Sequence, residues 1–199
     1  IPGQGKRLQA AYYSDVAYYG HSISPYKLNN NDDDLLKAIL SCVNSTLLSW
    51  YGALILPNMA KDIFPKVNPK DIAQLPIPKM LKKNREDVVK LANLSNVMLT
   101  LNAELQQKRS RFLRRLQENF EGVKITGALE TFDTLQFADF VKELKKQKIK
   151  LTLPQQDEWE DYFTERVAEC QEITAQIKTT DNEIDNRVFD LYGLNEEER

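Results

Sequence analysis

The residues from Arg85 to Phe120 and from Gln155 to Tyr192 contain neither proline nor glycine, so nothing in the backbone interrupts a helix along either run. In the first run Leu91, Leu94, Met98, Leu101, Leu105 and Phe112 fall at alternating three- and four-residue steps, with Lys108 the polar exception. In the second, Phe163, Cys170, Ile177, Ile184 and Leu191 recur every seven residues, with Ile173 and Thr180 between them. One apolar stripe per helix is the coiled-coil pattern. Helices this long cannot keep such a stripe in water, and the connector between them lets the chain reverse. An antiparallel pair is therefore expected.

Punctuation around the runs supports the same division. Gly122 and Gly127 close the first helix, Pro154 lies in the first turn of the second, and Gly193 ends it. The connector predicts a helix over about 134–148, whose apolar face is Leu135, Phe137, Phe140, Val141 and Leu144.

The front of the chain reads differently. Repeated Tyr-Tyr pairs among turn residues predict short strands around Ser14–Asp15 and Gly20. The NNNDDD run then marks a helix start capped by Asp32 or Asp33. Leu36, Ile39, Leu40, Val43, Leu47, Leu48 and Tyr51 follow at helical spacing as one broadly apolar, buried helix. Pro57, Pro65, Pro69, Pro76 and Pro78 exclude a continuous helix beyond it, leaving room for a single turn from Pro69 to Gln74 with Asn68 as cap. Leu75-Pro76-Ile77-Pro78 is expected to run extended, as a hinge or strand edge. The predicted fold is mostly α (α+β). A small mixed α/β head over residues 1–83 carries a long antiparallel two-helix coiled-coil arm with a short connecting helix over 84–199.

With 42% hydrophobic and 28% charged residues, the composition is that of a soluble, helical protein, and no apolar run approaches the roughly 18 residues of a membrane span. Cys42 and Cys170 lie far apart without metal-ligand spacing, which favours a reducing, cytoplasmic setting. The net charge of -2 conceals a gradient: basic residues outnumber acids from Lys61 to Arg115, and acids dominate from Leu151 onward. That gradient fits either two solvated faces that attract each other or a basic surface for phosphate. The start, IPGQGKRLQAAYY, lacks a methionine or a leader pattern, so an excised domain cut at its front is expected.

Groups suited to catalysis are few. His21 is the one histidine and sits in a Gly-His-Ser turn, with no nucleophile elbow or phosphate-cradling glycine loop in the chain. Asp133, Glu143 and Lys145 loosely imitate a magnesium nuclease set. That set needs carboxylates on adjacent strands, however, and here Glu-x-Lys falls on a helix among lysines that read as solvated charge. The remaining signal is aromatic residues interleaved with cations. Tyr12, Tyr13, Tyr18, Lys27, Lys61, Lys66, Lys70 and Lys79 are the candidate DNA-binding residues, lysine for phosphates and loop side chains for base edges.

The order of motifs resembles a known family. LKAILSCVNSTLLSWYGAL with Val43-Asn44-Ser45, then a loop and FPKVNPKDIAQLPIP closing on Leu75-Pro76-Ile77-Pro78, is similar to the TaqI-like C-terminal specificity domain of restriction-modification DNA methyltransferases. DNEIDNRVFDLYGLNEEE resembles the terminus of large single-chain type IIG enzymes, with Phe189 in place of the usual tyrosine and Asn195 in place of threonine. FADFVKELKKQKIKLTLPQQDEWEDYF resembles the region between their two long helices, so the likeness covers most of residues 36 to 198.

The resemblance implies a parent enzyme that transfers methyl from S-adenosylmethionine to adenine N6, with or without a fused, magnesium-dependent nuclease. This chain carries no methylation motif and no cofactor loop, so it is expected to be non-catalytic and without a cofactor of its own. Its implied partners are double-stranded DNA and the upstream methyltransferase domain of the same chain, with no membrane, and the expected state is an elongated monomer. The alternatives are a helical scaffold that docks a partner protein without touching DNA, and an independent nuclease.

Overall fold

The computed structural model describes residues 7–15, 18, 25–56 and 69–199. Among these residues the chain is mostly helical and no strand occurs. It divides into two compact units, Ile1–Leu99 with Thr179–Arg199, and Thr100–Lys178. The division falls inside both long runs, because each run gives part of its stripe to each core.

In the first unit α1 (Asp33–Asn44) starts at Asp32, whose carboxylate accepts from the Leu35 amide at 3.0 Å, with Asp33 and Asp34 in the first turn. The single helix expected through Tyr51 is broken. Ser45 adopts φ −66° and ψ 155°, its hydroxyl donates to the Cys42 carbonyl at 2.7 Å, and its oxygen accepts from the Leu48 amide at 3.2 Å. One serine thus ends α1 and caps α2 (Thr46–Ile55), which departs at 63°.

The strands expected nearby are not found. Ser14 and Asp15 lie outside any strand, and Gly20 lies outside the described residues. Just upstream, at Leu8 and Ala10, helix side chains take the polar groups a ladder would use. The Leu8 amide donates to Ser49 Oγ at 3.1 Å, the Ala10 amide donates to Asn44 Oδ1 at 2.7 Å, and Asn44 Nδ2 donates to the Ala10 carbonyl at 2.9 Å.

The short helix α3 is confined to Pro69–Ile72. Leu75-Pro76-Ile77-Pro78 is neither helix nor strand edge: Leu75 and Pro78 are buried and the segment passes directly into a 3-10 turn at Lys79–Lys82. Asn84 then opens α4 (Arg85–Asn119), accepting from the Glu86 amide at 3.1 Å.

In the second unit Gly122, at φ +75°, turns the chain out of α4 toward α5 (Gly127–Glu130). A 3-10 turn at Phe132–Thr134 and α6 (Phe137–Lys146) follow, shorter than the 134–148 expected. The last helix, α7, runs from Leu153 to Tyr192.

The second core is aromatic. Phe112 stacks on Phe132 at 3.7 Å between centroids, and Phe140, Trp159 and Phe163 surround it at 5.8, 6.2 and 6.0 Å. The partners establish the helix direction in this unit. Lys108 meets Glu169, Phe112 meets Phe163 and Phe120 meets Trp159, so α4 and α7 run antiparallel as expected. Lys108, the exception in the stripe, is half-buried and paired with Glu169 at 3.1 Å.

α7 ends at Gly193, φ +71°, with Gly193 N donating to Asp190 O and Leu194 N to Phe189 O at 3.0 and 3.1 Å. This is a Schellman cap built on a left-handed residue. No atom would meet a Cβ there, so Gly193→Ala should cost about 1 kcal/mol of stability from backbone strain alone. Phe112→Ala, which empties the centre of the second core, should cost about 3–5 kcal/mol. Chemical denaturation of both variants measures the difference.

Candidate functional site

Three of the four segments that carry the resemblance, around Asn44-Ser45, at Leu75-Pro76-Ile77-Pro78 and at the closing stretch, lie in the first unit. Asp185, in the closing DNEIDNRVFDLYGL stretch, accepts from the Thr46 amide at 2.8 Å and from the Thr46 hydroxyl at 2.5 Å. It therefore satisfies a free donor at the start of α2, one residue after the Asn-Ser break. One turn earlier, Asp181 takes both terminal nitrogens of Arg7 at 2.8 Å, while Arg7 Nε donates to the Asn44 carbonyl at 3.0 Å. The bond to Asp181 is the main cause of the raised Arg7 pKa. Tyr192 closes the set: its hydroxyl donates to the Pro76 carbonyl of Leu-Pro-Ile-Pro at 2.5 Å, and burial raises its pKa.

Sequence reasoning did not assign Arg7, Asn44, Thr46, Asp181, Asp185 or Tyr192 to one place. A signal was available. Asp181 and Asp185 are like charges four residues apart on one helix face, an arrangement that is unfavourable unless cations or free amides face it.

The candidate DNA-binding residues are distributed unevenly. Tyr12 is tied down, its hydroxyl donating to Asp33 at 2.6 Å with the Lys37 ammonium 4.8 Å from the ring centroid. The Asp33 bond raises the Tyr12 pKa. Tyr13 and Tyr18 are 66% and 100% exposed, and Lys27, Lys70 and Lys79 also face solvent. Lys61 and Lys66 lie outside the described residues, as does His21. Tyr26 and Trp50, at 51% and 47% exposure, add aromatic surface in the same unit.

The imitation of a nuclease site does not assemble. Asp133 is buried and gives both carboxylate oxygens to Arg109, at 2.8 and 2.7 Å, while Glu143 pairs with Lys146. Among the described residues no group of three or more His, Cys, Asp or Glu side chains is placed to hold a metal ion. Burial pushes the Cys42 and Cys170 thiols up to about 12 and about 11, which suits packing and not nucleophilic attack. No single described helix is long and apolar enough to cross a membrane.

Fold and surface therefore define a helical domain whose open features are tyrosines and lysines. Residues 82–188, more than half of the chain, match the family model described as a domain of unknown function, DUF8810, and the chain belongs to that family. The matched stretch contains the whole of the second unit. No curated protein and no solved structure matches the chain.

Asp185→Ala should cost about 1–2 kcal/mol by exposing the α2 amide. Asp133→Ala should cost about 2–3 kcal/mol by leaving Arg109 uncompensated in a mostly buried place. Denaturant melts measure both.

The pH dependence has a definite sign. Bonding to the Leu35 amide and to Arg85 lowers the Asp32 pKa, and bonding to Lys37 and Tyr12 lowers that of Asp33, each from 3.8. Their contribution is fully present above the unfolded value and is lost as pH falls through the lowered folded values, so melts should hold level above about pH 5 and weaken below about pH 4. An Asp33→Asn variant should show a shallower fall.

Proposed function

We propose that this chain is the DNA sequence-recognition module of a restriction-modification N6-adenine DNA methyltransferase, non-catalytic in itself and serving an enzyme with or without a fused nuclease. The observation that carries the reading is the meeting of the motif segments in one unit. Asn44-Ser45, Leu75-Pro76-Ile77-Pro78 and the closing Asp185 to Tyr192 stretch are joined by Thr46–Asp185 and Tyr192–Pro76 hydrogen bonds. Segments that resemble separate motifs of one enzyme class behave here as parts of one support.

That support holds the surface the reading needs. The helices are fixed by buried contacts, Tyr13, Tyr18 and Lys27 are exposed on non-helical segments, and Lys70 and Lys79 are exposed on the short helix α3 and the following 3-10 turn. Base readout calls for loop side chains on a rigid base, with lysines supplying sequence-independent attraction to phosphate. Methyl transfer, S-adenosylmethionine and any magnesium belong to the upstream domain in this reading. The mixed α/β character of the head is part of the proposal and is not a property of the described residues.

A scaffold that docks a partner protein through an open helical seam is less well supported. Leu91, Leu101, Leu105 and Phe112 of one stripe and Phe163, Cys170, Ile173 and Ile184 of the other are already buried within the two units.

Fluorescence anisotropy with duplex DNA on the parent enzyme tests the reading. Lys66→Ala and Lys70→Ala together should weaken binding about tenfold and make the salt slope shallower by about one per lysine. Tyr18→Ala should reduce discrimination between cognate and scrambled duplexes. Unchanged affinity, slope and discrimination would remove these segments from the interface.

A further inference from the structure

The second unit carries a concentration of positive charge that the recognition surface does not include. α6 ends in Lys145 and Lys146, and Lys148 and Lys150 follow in the turn to α7. The Gln147 side chain then binds the main chain of Lys124: Lys124 N donates to Gln147 Oε1 at 2.7 Å and Gln147 Nε2 donates to the Lys124 carbonyl at 3.0 Å. A fifth lysine is thereby fastened beside the same turn.

Pairing divides the lysines of this region. Lys142 pairs with Asp139 and Lys146 with Glu143. Lys124, Lys145, Lys148 and Lys150 are exposed and form no ion pair among the described residues. The C-terminal dipole of α6 favours cations in its last turn, which explains Lys145 but not Lys124, Lys148 or Lys150.

The backbone beneath these lysines is fixed. Lys148 stands at φ 65°, with Lys148 N donating to Lys145 O at 2.9 Å and Ile149 N to Leu144 O at 3.1 Å. This is the same cap that closes α7, with lysine at the position where α7 has Gly193. Of the neighbouring apolar residues, Ile149 and Leu151 pack into the core and Leu153 remains exposed. The turn thus offers several cations on a fixed backbone and little apolar area, which suits a phosphate backbone better than a bilayer.

We propose that Lys124, Lys145, Lys148 and Lys150 form a second, sequence-independent contact surface for the phosphate backbone of duplex DNA, an inference that rests on the DNA-binding reading above. Phosphate contacts of this kind position a protein on the duplex and carry no sequence information.

The test uses the intact chain with a fluorescent duplex of arbitrary sequence, titrated over a range of salt. Changing all four lysines to glutamine should weaken binding about ten- to a hundredfold near physiological salt and make the salt slope shallower by about three to four. Changing all four to arginine should retain binding. Both variants should melt near the wild-type midpoint: the glutamine variant loses the favourable Lys145–dipole interaction but also the repulsion among like charges, and the arginine variant keeps both.

An unchanged affinity and slope in the glutamine variant, with the wild type binding DNA, would overturn this surface and leave the recognition reading standing. Failure of the wild type to bind any duplex at low salt would overturn both. Binding to phosphatidylserine vesicles in preference to DNA, or a lowered midpoint in the glutamine variant, would also overturn the proposal, the latter by assigning the lysines to the fold.

Discussion

A helix with one apolar stripe must bury that stripe along its whole length, and α7 meets this requirement in two cores. Trp159, Phe163, Cys170 and Ile173 enter the aromatic core around Phe112, while Ile184 and Val188 enter the core built on Ala38, Cys42, Leu48 and Leu91. A 40-residue helix would be marginal in water without such cover. The short elements follow from the same demand. α5, α6 and the turn at Phe132 close one stretch of the stripe, and α1, α2 and Leu75 close the other.

The polar residues inside these contacts do as much to align the helices as the apolar ones do to hold them. Ser41 Oγ lies 2.6 Å from Ser95 Oγ, and Ser95 in turn donates to the Lys37 carbonyl at 2.7 Å, which small side chains allow by letting α1 and α4 approach closely. Lys108 with Glu169 and Arg109 with Asp133 act likewise in the aromatic unit. An apolar stripe alone permits several offsets of one helix along another. A buried pair that is satisfied at one offset only removes the others, at some cost in desolvation.

The long helices were legible because periodicity over many residues outweighs local accidents, and α7 ends at the glycine that caps it, Gly193. The break at Ser45 is hidden in the sequence for the converse reason. Leu36 to Tyr51 keeps helical spacing on both sides of the break, and a serine that turns its hydroxyl onto the backbone leaves no mark in an apolar count. The composition of the Tyr-rich front fits a strand, while the groups that hold Leu8 and Ala10, Ser49 and Asn44, lie far along the chain. Of the candidate surface, Tyr13 and Tyr18 are exposed, while the Tyr12 hydroxyl is bonded to Asp33, a carboxylate one helix away that spacing does not reveal.

The attachment of residues 7–12 has a further consequence. A strand joined to a neighbouring strand is held by a repeating row of identical bonds, so it can slide by two residues and find equivalent partners again. Here the holders are unlike one another: a guanidinium clasped by Asp181, a hydroxyl at Ser49, an amide at Asn44 that both gives and receives, and a carboxylate at Asp33. No shifted placement offers the same sequence of donors and acceptors. The segment therefore has one seat on this helical base.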